Sequence, residues 1–208
     1  MGKTNNLQKN SKLITQGLIL HLQEFGFAIA KNIIPSEECN LISEELDQCE
    51  KKHKTGKKPI AQELVTSYGQ TIIRDIHLEV SAILPLIDLS VIWDVVSETL
   101  NDTPIIDGCV ASRSGSNDGL IHMDGHLRIS EFINTTDIVA IVCLDDFTKT
   151  NGSTRVWPLS HKSGKRPQND FAPDCKLPGG TVLLAPEGSV IFILGQTWHQ
   201  ITKNIDIV

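Results

Sequence analysis

The chain has 208 residues, 40% of them hydrophobic, and a formal net charge of −6. That length and apolar content suit one domain with a sizeable core, and the acidic balance excludes a nucleic-acid backbone as the expected partner, which would call for a basic surface. No run of about 18 apolar residues offers a membrane span, and the polar opening MGKTNNLQKNSK lacks the apolar core of a secretory signal, while Asn6 breaks the myristoylation pattern.

Residues 1–12 are polar and expected to be frayed or disordered, leaving 13–208 as the single domain. Leu13 to Glu24 is loosely helical, with apolar residues at 13, 14, 18, 20 and 22. FGFAIAKNII then reads as a strand. Ser36 opens a helix to about His53, with serine as N-cap and Glu37 and Glu38 beside the positive end of the helix dipole. KKHKTGKKP, residues 51–59, reads as a basic surface loop. Arg74, in QTIIRDIH, is a candidate contact for a substrate carboxylate. A second helix is expected over Leu89–Asn101, capped by Asp88, with an apolar face for packing on a sheet. IIDGCVASR is a strand leading into the loop SRSGSNDG, where Ser112, Arg113 and Ser114 are placed to hold substrate or co-substrate.

The chemistry begins at His122, Met123 and Asp124. Side chains alternate along a strand, so an HxD pair shares one face, and the stretch GLIHMDGHLRI sets Leu120, His122, Asp124 and His126 on that face with Ile121 and Met123 behind. Seven histidines in the chain make a chance match easy, so the surroundings matter. DIVAIVCLDD (137–146) reads as a buried strand ending in acid, and NGSTRVWPLSH (151–161) opens on a hairpin-turn signal. PEGSVIFILGQTWHQITKN (186–204) gives a turn, an apolar strand, a break at Gly195 and a second strand bearing His199. Both ligand-bearing strands are thus expected in one antiparallel assembly. His122, Asp124 and His199 then close a 2-His-1-carboxylate set, which suits non-haem Fe(II) because adjacent positions stay open.

The stretch from Gly119 to Asn204, with HMD at 122–124, LDD at 144–146, NGSTRVWPLSH at 151–161, GSVIFILGQTWH at 188–199 and Asn204, resembles the phytanoyl-CoA dioxygenase family of Fe(II)/2-oxoglutarate oxygenases. The segment LQEFGFAIAKNIIPSEECNLISEEL (22–46) resembles the family's opening strand, turn and helix. One departure is Leu159, where the family usually has glycine, so the loop there is expected to differ. The resemblance implies a mainly β fold with flanking helices around a double-stranded β-helix (jelly-roll, cupin-like) core. It also implies Fe(II), 2-oxoglutarate and O2, with ascorbate supporting activity and with succinate and CO2 released as a C–H bond of a small molecule is oxidised. Because Asp124 is present, hydroxylation, desaturation or ring formation is expected rather than halogenation.

In the family an arginine about ten residues beyond the distal histidine binds the far carboxylate of 2-oxoglutarate, since its planar fork pairs bidentately with carboxylate. The sequence stops at Val208, so a missing last strand is one expectation. The other is a substitute among Arg113, Arg155 and Lys203, with Thr154 as a hydroxyl contact. His126 is read as a substrate contact, and Trp93, Trp157 and Trp198 as packing residues, Trp198 also shaping the pocket. The rival expectation is a jelly-roll binding protein that keeps the metal set without a 2-oxoglutarate site; a cupin-like enzyme is weaker, because no HxH-plus-glutamate set precedes His199. Five cysteines (Cys39, Cys49, Cys109, Cys143 and Cys175) without a CxxC pair point to a reducing cytoplasm rather than to disulfides or zinc.

Overall fold

The computed structural model of the protein describes residues 2–55, 62–65, 69–125, 135–167 and 176–206. In chain order the elements are α1 (Gly2–Phe25), β1 (Phe27–Ala30), α2 (Ser36–Lys54), β2 (Gln62–Val65), β3 (Thr71–Arg74), α3 (Leu84–Ile87), α4 (Ser90–Leu100), β4 (Val110–Arg113), β5 (Ile138–Val142), β6 (Thr154–Val156), β7 (Thr181–Val182), β8 (Val190–Leu194) and β9 (His199–Ile201). They form three antiparallel sheets, ordered β1-β8-β5, β2-β3-β4 and β7-β6-β9. The described helices hold more residues than the described strands, so the content is mixed and not mainly β.

The strand β8, VIFIL, explains the layering. All five side chains are buried, and alternation sends them to opposite sides. Val190, Phe192 and Leu194 pack with Leu22 of α1 and Ile42 and Leu46 of α2, whereas Ile191 and Ile193 pack with Val156 of β6, Leu183 and Ala185. A strand covered on both faces reads as a continuous apolar run. The result is a helical layer, a central sheet and the β7-β6-β9 sheet beyond it. Burying Phe192 fully contributes about 1.5–3 kcal/mol to that stack. The turn into β8 needs Gly188, at φ +74: its carbonyl accepts from the Ile33 and Ile34 amides, and a Cβ there would lie 2.0 Å from the Ile34 carbonyl oxygen.

Several local expectations are corrected. α1 runs from Gly2 to Phe25, its opening Leu, Gln and Lys being helix-competent residues. Pro35, not Ser36, is the N-cap of α2, and no side-chain cap bond forms; the acids Glu37 and Glu38 and the basic run Lys51–Lys54 still match its dipole. That basic run is therefore the end of a helix, and residues 56–59 lie outside the described ones. Leu89, not Asp88, is the N-cap of α4, and this helix packs on α1 within the helical side of the core. Asn151–Gly152 closes no hairpin between β5 and β6, because those strands belong to different sheets.

Leu159 sits at φ +67, in the left-handed region glycine favours. A leucine held there is strained by about 1–2 kcal/mol.

Candidate metal centre

His199 begins β9, and its partner across the sheet is Val156 of β6, which is wholly buried against Ile191 and Ile193. Residues directly opposite each other share a face, so the His199 side chain enters the space between the two sheets. Thr154, two residues before Val156, is buried on that same face.

His122 joins β9 through one antiparallel bridge: its amide donates to the His199 carbonyl at 2.9 Å and the His199 amide donates back at 2.8 Å. Residues paired this way set their side chains side by side, and the two imidazole centroids stand 4.2 Å apart. The segment around His122 is otherwise irregular, so the HxD pair is not carried by a strand as expected. Asp124 is held instead by Gly195, whose carbonyl accepts from the Asp124 amide at 3.0 Å and the Gly125 amide at 2.9 Å. These bonds aim the carboxylate at both rings, with Oδ2 3.2 Å from His199 Nε2 and Oδ1 3.5 Å from His122 Nε2.

The tautomers follow from the remaining ring nitrogens. His122 Nδ1–H donates to the Leu120 carbonyl and His199 Nδ1–H to the Thr197 carbonyl, each at 3.0 Å. Both Nε2 lone pairs are then presented inward, the arrangement in which a metal-binding histidine is fixed by the bond its other nitrogen makes. Burial and the neighbouring His199 hold His122 below the ordinary imidazole range, which favours the neutral ligand form. For His199 burial acts downward, but the bond to Asp124, its charge and the Thr197 carbonyl outweigh it and the net shift is upward.

Among the described residues this is the one group of three or more metal-ligating side chains, with ligand atoms all within 4.8 Å of one another. Two neutral imidazole nitrogens and a carboxylate oxygen converging on one point fit a divalent iron ion, leaving the solvent-facing side for further ligands.

The other sequence candidates fall elsewhere. Arg113 ends β4 and pairs with α2, Nε lying 2.5 Å from Glu50 and NH2 against Asp47. Its guanidinium is thereby committed to two helix carboxylates. Arg155 lies opposite Gln200, on the face away from Val156 and His199, and bonds the Gln200 amide oxygen at 3.1 Å. Lys203 is exposed. Arg74 is exposed on β3, in the sheet that bears no member of the triad. His126 lies outside the described residues. Trp157 and Trp198 pack with Met123 and donate to the carbonyls of Pro178 and Lys165 respectively, so they serve packing, while Trp93 donates to the Ile87 carbonyl.

Sequence reading missed the supports of the site. Thr197, fully buried, orients His199 through its carbonyl and donates its hydroxyl to the Gly26 carbonyl at 2.8 Å. The Ser160 hydroxyl accepts from the Trp198 amide at 2.8 Å. Gly195 appeared only as a strand break. Its one sequence signal was its place between β8 and the distal histidine.

Two imidazoles and a carboxylate, one imidazole on β9 and the other two ligands on an irregular segment bridged to it, put the protein in the class of non-haem 2-His-1-carboxylate enzymes. The sequence profile of the phytanoyl-CoA dioxygenase (PhyH) family matches residues 22–205. The chain belongs to that family of Fe(II)/2-oxoglutarate-dependent oxygenases, and is such an enzyme. Comparison with curated protein sequences gives no match. Solved structures similar in fold include the carbocyclase SnoK from nogalamycin biosynthesis (14% identity, TM-score 0.71, covering 94% of this chain and 80% of that one). HygX from Streptomyces hygroscopicus, with nickel, 2-oxoglutarate and hygromycin B bound, is similar at 14% identity and TM-score 0.70, over 91% and 81%. The epimerase SnoN is similar at 13% and 0.67, over 93% and 78%. Among the described residues no helix is long and apolar enough to cross a membrane.

Proposed function

We propose that His122, Asp124 and His199 hold Fe(II) and that the enzyme oxidises a C–H bond of a small molecule with 2-oxoglutarate and O2. For hydroxylation the balance is substrate C–H, O2 and 2-oxoglutarate to substrate C–OH, succinate and CO2. The observation that carries this reading is the convergence of both Nε2 atoms on the Asp124 carboxylate, at 3.2 and 3.5 Å, with each Nδ1 already used. When bound, the metal supplies the O2 chemistry and a chelation point for the 2-oxo acid.

The protein's own part is placement and exclusion of water. His199 is buried and fixed by strand register, whereas the His122 and Asp124 side chains are each 38% exposed. Co-substrate and substrate therefore reach the metal from the HxD side. Thr154, buried on the His199 face, is the proposed hydroxyl contact for 2-oxoglutarate between the sheets. We read the two sheets facing each other across Ile191, Ile193 and Val156 as the jelly-roll core. A small-molecule substrate is supported by relatives in fold that hold hygromycin B or nogalamycin RO. Among products, desaturation or ring closure fits the same donor set as well as hydroxylation.

Turnover of 2-oxoglutarate to succinate by the iron-loaded protein, with ascorbate present, tests this. The wild type is expected to release succinate; His122→Ala and Asp124→Ala are expected to abolish it. Iron bound by the wild type without any binding of 2-oxoglutarate would favour the second reading, a binding protein, which the outward turn of Arg113 and Arg155 supports.

A further inference from the structure

We propose that Gly195 is the positioning residue for the carboxylate ligand, its backbone holding Asp124 against the end of β8 where no side chain is tolerated. The proposal rests on the reading of His122, Asp124 and His199 as the metal ligands.

Gly195 uses both of its peptide groups. Its carbonyl accepts from the Asp124 and Gly125 amides, and its own amide donates to the Asp137 carbonyl at 2.7 Å. One residue thus ties together the chain on both sides of residues 126–134. Its own position is fixed from behind: Leu194, 2% exposed, pairs with Ile138 of β5, and its amide donates to the Gly26 carbonyl.

Space around Gly195 is closed on the Asp137 side, with the Gly125 nitrogen in ordinary contact opposite. A Cβ there would lie 2.7 Å from the Asp137 Cβ, 3.1 Å from the Asp137 carbonyl oxygen and 3.4 Å from the Gly125 nitrogen. Carbons at 2.7 Å overlap deeply, since contact is favourable only near 3.5–4.0 Å. Something must move, and the two neighbours are not equally held. Asp137 is continuous with β5, which is zipped to β8 over five residue pairs. The 124–125 segment hangs on the Gly195 carbonyl, next to the His122 bridge and the buried Met123. Displacement therefore falls on Asp124, and the carboxylate leaves the metal while both imidazoles stay. A metal-binding carboxylate moved by even about 1 Å is a poor ligand, as supporting contacts of this kind are worth roughly 10–100-fold in metal affinity.

The test uses the full chain, metal-free, titrated with Co(II) and followed by its visible absorption and by thermal melting with and without Co(II). Gly195→Ala is expected to keep its fold, to bind Co(II) about 10–100-fold more weakly, and to give a Co(II) spectrum like that of Asp124→Ala. A merely structural glycine would lower the melting temperature without changing the spectrum. The double variant Asp137→Gly/Gly195→Ala removes the 2.7 Å overlap and is expected to recover most of the affinity. Unchanged Co(II) binding in folded Gly195→Ala, or no recovery in the double variant, overturns the proposal and leaves the triad standing. A wild type that binds no Co(II) overturns the triad and this proposal together. Should Gly195→Ala fail to fold, hydrogen exchange in the wild type decides: slow exchange of the Asp124 and Gly125 amides supports the clamp, and exchange at unprotected rates overturns it.

Discussion

The two halves of the metal centre are built differently. His199 is 7% exposed and sits in a strand paired on one side with β6 and bridged on the other to His122. Asp124 and His122 are carried by an irregular segment that meets the rest of the protein through single backbone bonds and the buried Met123 between them, not through a paired strand. One half inherits its position from register, which shifts only if a whole sheet slips. The other half depends on local contacts that a single substitution can undo. A divalent ion bound between them therefore ties the less anchored half to the better anchored one, and metal should stabilise the 119–125 segment more than β9.

The largest effect that separates the halves from their common support is expected at Phe192. Its side chain points from β8 into the helical layer and away from the triad. Phe192→Ala removes a fully buried ring and is expected to cost about 3–5 kcal/mol, read by denaturant unfolding. If site and scaffold are separable as described, Co(II) affinity of the folded variant stays close to that of the wild type. A parallel collapse in affinity would show that the helical layer, and not only the two sheets, sets ligand geometry.

Proton binding distinguishes the two histidines next. In the metal-free protein His199 is shifted upward with Asp124 as its partner, so this pair stabilises the fold below the unfolded imidazole value and loses that contribution as pH rises through the folded value. His122 is shifted downward by burial and by His199, so it has the opposite sign and costs stability as pH falls below the unfolded value. Asp124→Asn removes the charge and replaces the charged acceptor that holds His199 up with a neutral amide. NMR titration of the metal-free variant is expected to place the His199 imidazole lower than in the wild type, and an unmoved titration would break the assignment of Asp124 as its partner. Metal binding, which needs both rings neutral, weakens on acidification in either protein.

The same contrast explains what could be read in advance. β8 and β9 were legible because a continuous apolar run and a terminating glycine are local signals, and HxD with a remote histidine picked out three side chains that the fold brings together. Their support was not legible. His122 was expected on a strand, yet it makes one bridge, and Asp124 is placed by a carbonyl 71 positions away in the chain. Cap residues failed at Ser36 and Asp88 for a related reason, since the turn geometry moved each boundary by one residue. The strain at Leu159 was not legible either, since a residue type does not announce that its backbone is held at φ +67.

Arg113 gives the smallest effect and the sharpest check on the co-substrate site. Sequence alone placed it beside the metal motif, and only the fold shows that its partners, Glu50 and Asp47, come from a helix more than sixty residues earlier. The side chain is half exposed, so solvent screens the pairing, and exposed ion pairs contribute about 0–1 kcal/mol. Burial opposes its charge, while the two carboxylates outweigh burial and hold the guanidinium above its ordinary range, so the group is charged at any working pH. Arg113→Met keeps the aliphatic stem and removes the fork. It is expected to lower stability by no more than about 1 kcal/mol and to leave the affinity for 2-oxoglutarate unchanged in calorimetric titration of the metal-loaded protein. A tenfold or greater loss of that affinity would mean that the guanidinium leaves α2 for the co-substrate, and that the HxD half of the site rearranges when 2-oxoglutarate arrives.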